Sequence, residues 1–196
     1  MKHKAMRPTA MRATAVGGVV AAMLLLAGCG DGGAAGGAAP EGYERLKTAH
    51  VTVDFPETWK VQSEAERPEL ADGAAVLEQG GRQLGKISVV LKYDDTRDAD
   101  KAAASALGDH ELQAQIKGFK DFSVAGTDDG QRIDYSFKSA GTGSTPPKGE
   151  PVNGVDVVGT DKSGETFLVR INAAASALSA DELEKVAKSV QVVESE

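Results

Sequence analysis

A single cysteine leaves no disulfide within the chain, so nothing covalent cross-links its fold. Aromatic residues are only 5% of the 196, with one tryptophan, Trp59, which excludes an extended platform for stacking sugars or bases. Bases are outnumbered, 22 against 29 acids. Four of them, Lys2, Lys4, Arg7 and Arg12, precede Cys29 and no acid does, so residues 29–196 carry a net charge of −11. Such a surface repels nucleic acid and anionic headgroups, and no nucleic-acid partner is expected. The histidines, His3, His50 and His110, lack any metal-ligand spacing. No cofactor motif and no nucleophile elbow occurs, so neither a catalytic nor a metal site is assigned.

What the sequence does have is an ordered export signal. Met1 to Arg12 is basic, and Ala13 to Ala27 is an apolar run of about fifteen residues, the length of a signal-peptide core. It falls short of the roughly twenty apolar residues of a membrane-spanning helix. Leu26-Ala27-Gly28-Cys29 then resembles the lipobox of bacterial lipoproteins. Small residues before the cysteine fit a peptidase cleft, and the thiol accepts a diacylglyceryl group. The expectation is a signal peptide over 1–28, lipid on Cys29, and a location on the extracytoplasmic face of the cell membrane. Two acyl chains, at about 0.8 kcal/mol per buried CH₂, anchor stably where one does not.

Gly30 to Gly42, GDGGAAGGAAPEG, reads as a flexible tether, with 29–42 forming the lipidated cysteine and its linker. Thirteen such residues span about 20 Å root-mean-square. Residues 43–196 are expected to form one globular domain. A chain that size buries roughly 68–70% of its unfolded surface and holds a core without cross-links.

Val51, Val53 and Phe55 alternate with Thr52 and Asp54 as in a half-buried strand, and Trp59-Lys60-Val61 beyond Pro56-Glu57-Thr58 reads as its hairpin partner. Ala74–Gln79 and Lys86–Tyr93 form a pair across Gly80-Gly81. Asp98 is positioned to cap a helix over Ala99–Phe119, with a break at Gly108 and a second stripe of Leu112, Ile116 and Phe119. Strands are expected over Phe122–Thr127 and through Ile133, Tyr135 and Phe137, joined by the Asp128-Asp129-Gly130 turn. Val152–Thr160 and Thr166–Ala173 pair across Asp161–Gly164. Ser179 and Glu182 form a capping box, with Leu178 and Leu183 at the staple positions of a last helix. This order predicts an α+β domain, a mostly antiparallel sheet sandwiched by helices.

From about Leu46 to Val193 the chain resembles the PsbP-like fold family. Val53-Asp54-Phe55-Pro56-Glu57-Thr58-Trp59-Lys60-Val61 is similar to that family's opening, where a Pro-x-x-Trp turn follows an amphipathic strand. With the lipobox, the whole resembles actinobacterial lipoproteins of the LpqN/LpqT type. The resemblance implies a PsbP-like α/β/α sandwich and docking onto partners rather than a common reaction. Fold alone fixes no function, and no binding residue is carried over.

The remaining candidates weigh toward structure. Asp94, Asp95, Asp98 and Asp100 cluster between strand and helix, but they lack the glycine and terminal glutamate of a calcium loop. Ser163 reads as a turn residue, Trp59 as a core plug, and His50 and His110 as solvent-exposed. Ser139–Pro151, rich in Gly, Ser, Thr and Pro, reads as a disordered connector, or else a lid.

The function expected is a non-enzymatic binding or assembly module, attached to the membrane through Cys29, with an envelope protein as its partner. The alternative is a carrier of a small apolar ligand such as a lipid. Cys29 supplies the only sulfur that lipid can join. Cys29→Ser should therefore leave the membrane fraction or persist as uncleaved precursor, as read by fractionation and intact mass. Normal maturation and membrane retention of that variant would refute lipidation.

Overall fold

Turn chemistry and alternation set most of a long antiparallel sheet. The computed structural model describes residues 37–110 and 114–194; Leu26, Ala27, Gly28 and Cys29 lie outside the described residues. In chain order the elements are β1 (Tyr43–Lys47), β2 (Val51–Pro56), β3 (Lys60–Val61), β4 (Gly73–Gln79), β5 (Arg82–Leu91), α1 (Ala99–Gly108), β6 (Gln115–Asp121), β7 (Gly130–Lys138), β8 (Pro151–Thr160), β9 (Thr166–Ala174), α2 (Ala180–Lys188) and β10 (Gln191–Val192). A seven-stranded sheet runs β3-β4-β5-β9-β8-β7-β6, and a small one runs β1-β2-β10. All pairings within both sheets are antiparallel. Among the described residues no helix is long and apolar enough to cross a membrane.

Period-2 alternation gives the large sheet two different faces. Ile87, Val89, Val155, Val157, Val169 and Ile171 point to one side, where the small sheet and α2 complete the main core. Ile133, Tyr135, Val158 and Leu168 point to the other, where α1 lays Ala102, Ala103 and Ala106 on them. The result is three layers, the α+β sandwich expected from the element order. Asp98 accepts from the Asp100 and Lys101 amides to start α1. The capping box of Ser179 and Glu182 starts α2, with Leu178 and Leu183 both buried.

Several expectations need correction. β2 and β3 are not a hairpin: the Pro56–Thr58 turn carries the chain from the small sheet to the edge of the large one. β2 is buried on both faces, because it is the central strand of its sheet and Arg45 forks onto Asp54 (Nε 2.6 Å, Nη2 2.9 Å). The helix ends at Gly108, and Ile116 and Phe119 lie instead on strand β6. Ile116 pairs with Tyr135 and Phe119 with Ile133, so an irregularity between Ile116 and Gly118 lets residues three apart share one face. That bulge mimics helical spacing. Leu112 lies outside the described residues. Phe122–Thr127 is not a strand; it is a coil bridged in parallel at Ala125 to Gln191. The end of the presumed tether is fastened down: Tyr43 N donates to Pro40 O and Glu57 N to Gly42 O, both at 3.0 Å, and Arg45 donates to Gly37 O.

Trp59 is the core plug expected, 4% exposed. Its ring packs against Gly85 of β5, where a Cβ would come within 2.5 Å of the indole. Only glycine admits that approach. Trp59→Ala should cost about 3–5 kcal/mol by chemical denaturation. An unfolding curve matching the parent would show that the indole contributes little to the core.

Candidate functional site

On the α1 face of the large sheet, two adjacent rows of side chains cross four strands. Lys86 of β5 pairs with Asn172 of β9, Asn172 with Gly154 of β8, and Gly154 with Tyr135 of β7. The neighbouring row runs Ser88, Arg170, Asp156, Ile133. The residues that α1 buries are all alanines, so the helix can lie close, and it packs mainly on β7, β8 and β9. The polar rows are left to satisfy one another.

Asp156 has no exposed surface. Arg170 donates to it through Nε at 3.0 Å and Nη2 at 2.7 Å. His110 Nε2 lies 2.9 Å from Oδ2, the oxygen that also accepts from Arg170 Nη2, and the Tyr135 hydroxyl is 3.2 Å from Oδ1 and 2.8 Å from Asn172 Oδ1. Gly154 makes room for this, since a Cβ there would meet the Tyr135 ring at 2.2 Å. The His110 ring packs on Tyr135 with centroids 3.8 Å apart. Arg170 Nη2 also reaches Asp109 at 3.2 Å, and Asp109 accepts from the Tyr93 hydroxyl at 3.1 Å. Burial works against the Arg170 charge, but hydrogen bonding and attraction from Asp156 outweigh it and raise its pKa. Burial, then the Asp156 charge, pushes the Tyr135 phenol up. Burial and then Asp109 do the same to Tyr93. The expectation that His110 is exposed is wrong: it is 8% exposed and hydrogen-bonded. Its partner lies 46 residues away on β8, a distance no local pattern reveals.

Beside this network lies a pocket of about 610 Å³, with Asn172 as the network residue that also lines it. Lys86, Phe137 and Val152 extend its lining along the sheet, and Leu84 and Pro146 add apolar surface. Ser139–Pro151 supplies a wall, so it is not the disordered connector expected. Ser139 is 5% exposed; its N–H donates to Glu150 O at 2.9 Å and its hydroxyl to Pro146 O at 2.7 Å. Gln83 N donates to Ser144 O at 2.6 Å and Arg82 to Thr145 O at 3.1 Å. These bonds strap the β7–β8 connection across to β5. The sequence signal was the loop's length; its polar atoms gave no hint of what they bond.

The other candidates are accounted for. Asp98 caps α1, Asp94 accepts from Thr96 N and the Ser105 hydroxyl, and Asp100 accepts from Gln131. Hydrogen bonds to Ser105 and Thr96 hold Asp94 below the usual carboxylate range. Among the described residues no three His, Cys, Asp or Glu side chains are placed to hold a metal. Ser163 bonds only within its turn, to Asp161. His50 is half-buried at the start of β2, its carbonyl accepting from Val193 N.

No family model matches the chain, and no curated protein matches it either. Solved structures do resemble it. Cyanobacterial PsbP (CyanoP) from Synechocystis shares 12% identity at a TM-score of 0.50, over 82% of this chain and 98% of that one. LpqN, involved in cell envelope biogenesis of Mycobacterium tuberculosis, is 17% identical at a TM-score of 0.49, over 73% of this chain and 83% of its own. The Ran-binding protein Mog1p of Saccharomyces cerevisiae is 16% identical at a TM-score of 0.49, over 78% and 97%. At these identities the likeness concerns the fold alone, and it rests on the PsbP match: the domain has the PsbP-like α+β sandwich.

Proposed function

We propose that this chain is a lipid-anchored, extracytoplasmic binding protein of the cell envelope, without enzymatic activity, that receives a small ligand in the pocket beneath the Ser139–Pro151 strap. The observation carrying the reading is the pocket itself: about 610 Å³, with apolar walls at Leu84, Phe137, Pro146 and Val152 and a few polar groups. Ligand sites combine such walls with a few orienting polar atoms, within a range of roughly 300–1,000 Å³. Between the carrier and docking readings of the sequence, this favours the carrier. The anchor rests on the order of basic segment, apolar run and Cys29 in the sequence.

Docking onto an envelope protein is the second reading, and one observation supports it. Ile116 and Phe119 are 37% and 50% exposed on β6, which ends the large sheet. Two residues are a small patch, and charged residues at Lys117 and Lys120 flank them, as on edge strands that avoid pairing. Crosslinking in intact cells at these positions would capture a protein partner if this edge docks.

Replacing Ala140–Gly149 with Asn-Gly tests the pocket. The pairing of Lys138 with Pro151 allows a two-residue turn just beyond it. Loop closure changes by only about 0.6 kcal/mol per halving of length, so the melting temperature should move by no more than about 4 °C. Small molecules released from the lipoprotein purified from its own cells should be present with the parent and absent with the variant, by mass spectrometry. Equal amounts from both would overturn the pocket reading.

A further inference from the structure

Resting on the binding reading above, we propose that the pocket selects amphiphiles with an anionic head, the Lys86 ammonium supplying the counter-charge and the apolar walls taking the tail. The argument begins with a local reversal of charge. Residues 29–196 carry −11, yet the pocket lining holds Lys86 and Lys138 and neither aspartate nor glutamate. No described carboxylate pairs with either lysine. Lys138 is exposed at the end of β7, while Lys86 sits inside the sheet row beside Asn172.

Asp156, on the next row, is the obvious internal counter-charge, but it is already engaged. Arg170 forks onto both its oxygens, His110 meets Oδ2 and Tyr135 meets Oδ1, so the network closes on itself without Lys86. Burial alone holds the Lys86 pKa below its ordinary value, with no acidic neighbour among the described residues to offset it. A half-buried cation without a partner is unfavourable, and a bound anion is what relieves it. Asn172 stands next to Lys86 and offers an amide to the same head. Leu84, Phe137, Pro146 and Val152 then exclude water from a chain too apolar to sit in solvent. A free small anion would leave those walls unused, and a neutral amphiphile would leave Lys86 unpaired.

The test uses the full lipidated chain in phospholipid nanodiscs and two photoreactive probes, a diazirine fatty acid and the matching fatty alcohol. Adducts are located by peptide mass spectrometry. The acid should label the pocket lining about tenfold more than the alcohol, the factor expected of one charge-assisted hydrogen bond. Lys86→Met should remove that preference, lowering acid labelling about tenfold and leaving alcohol labelling alone; Lys86→Arg should keep it. Lining adducts with equal acid and alcohol yields on the parent protein would overturn the charge inference while leaving the pocket reading intact. This comparison needs no variant to fold. Acid labelling that survives Lys86→Met at full yield would overturn it as well. Loss of all acid labelling to excess inorganic phosphate would make the ligand a free anion and overturn the amphiphile. Absence of lining adducts from either probe would overturn the pocket reading together with the proposal.

Discussion

A carboxylate with no exposed surface, Asp156 in the middle of β8, constrains the whole α1 face of this domain. An isolated charge there would be costly by several kcal/mol, so it persists only because Arg170 meets it with two nitrogens and His110 and Tyr135 approach the remaining lone pairs. Each partner imposes its own requirement. Tyr135 needs the space left by Gly154. Arg170 has charge in reserve, which Asp109 absorbs just past the end of α1, and His110 follows at once. The space at Gly154 and the polar character of two sheet rows both serve this one buried group.

The opposite face has no such problem. Its rows are Val and Ile nearly throughout, closed by β2 and α2. One ion-pair cluster marks its margin: Arg132 donates to Asp134 at 2.7 Å and reaches Glu184 of α2 at 2.5 Å. Burial raises the Glu184 pKa, but Arg132 outweighs it and holds the carboxyl low, so the contact stays ionised. The sheet thus assigns its roles by parity. Odd-numbered positions of β9, such as Val169 and Ile171, build stability, and even-numbered ones, Arg170 and Asn172, build the network and the pocket.

Those parities were legible in the sequence where they were uninterrupted. The strands of β4, β5, β8 and β9, the turn at Gly80-Gly81, the capping box at Ser179 and the plug at Trp59 all follow from spacing and turn chemistry. What was hidden was nonlocal. The Ile116 to Phe119 spacing read as helix because a bulge and a helical turn both bring residues three apart to one side. β1 and β10 were missed because one is largely polar and the other has two residues; each is defined by its pairing with β2. His110 and the strap misled for the same reason: a polar residue's burial depends on a partner that local pattern cannot supply.

The saturation of the network bears on what the face does. Asp156 is ion-paired with Arg170, the Tyr135 phenol is driven away from ionisation, and among the described residues no serine or cysteine donates into the cluster. These groups fix one another in place. Lys86, half-buried and without a described carboxylate partner, sits at the network's outer margin and among the pocket's apolar walls. The sheet thus settles the charges of its Asp156 network internally and sets the Lys86 ammonium against the cavity.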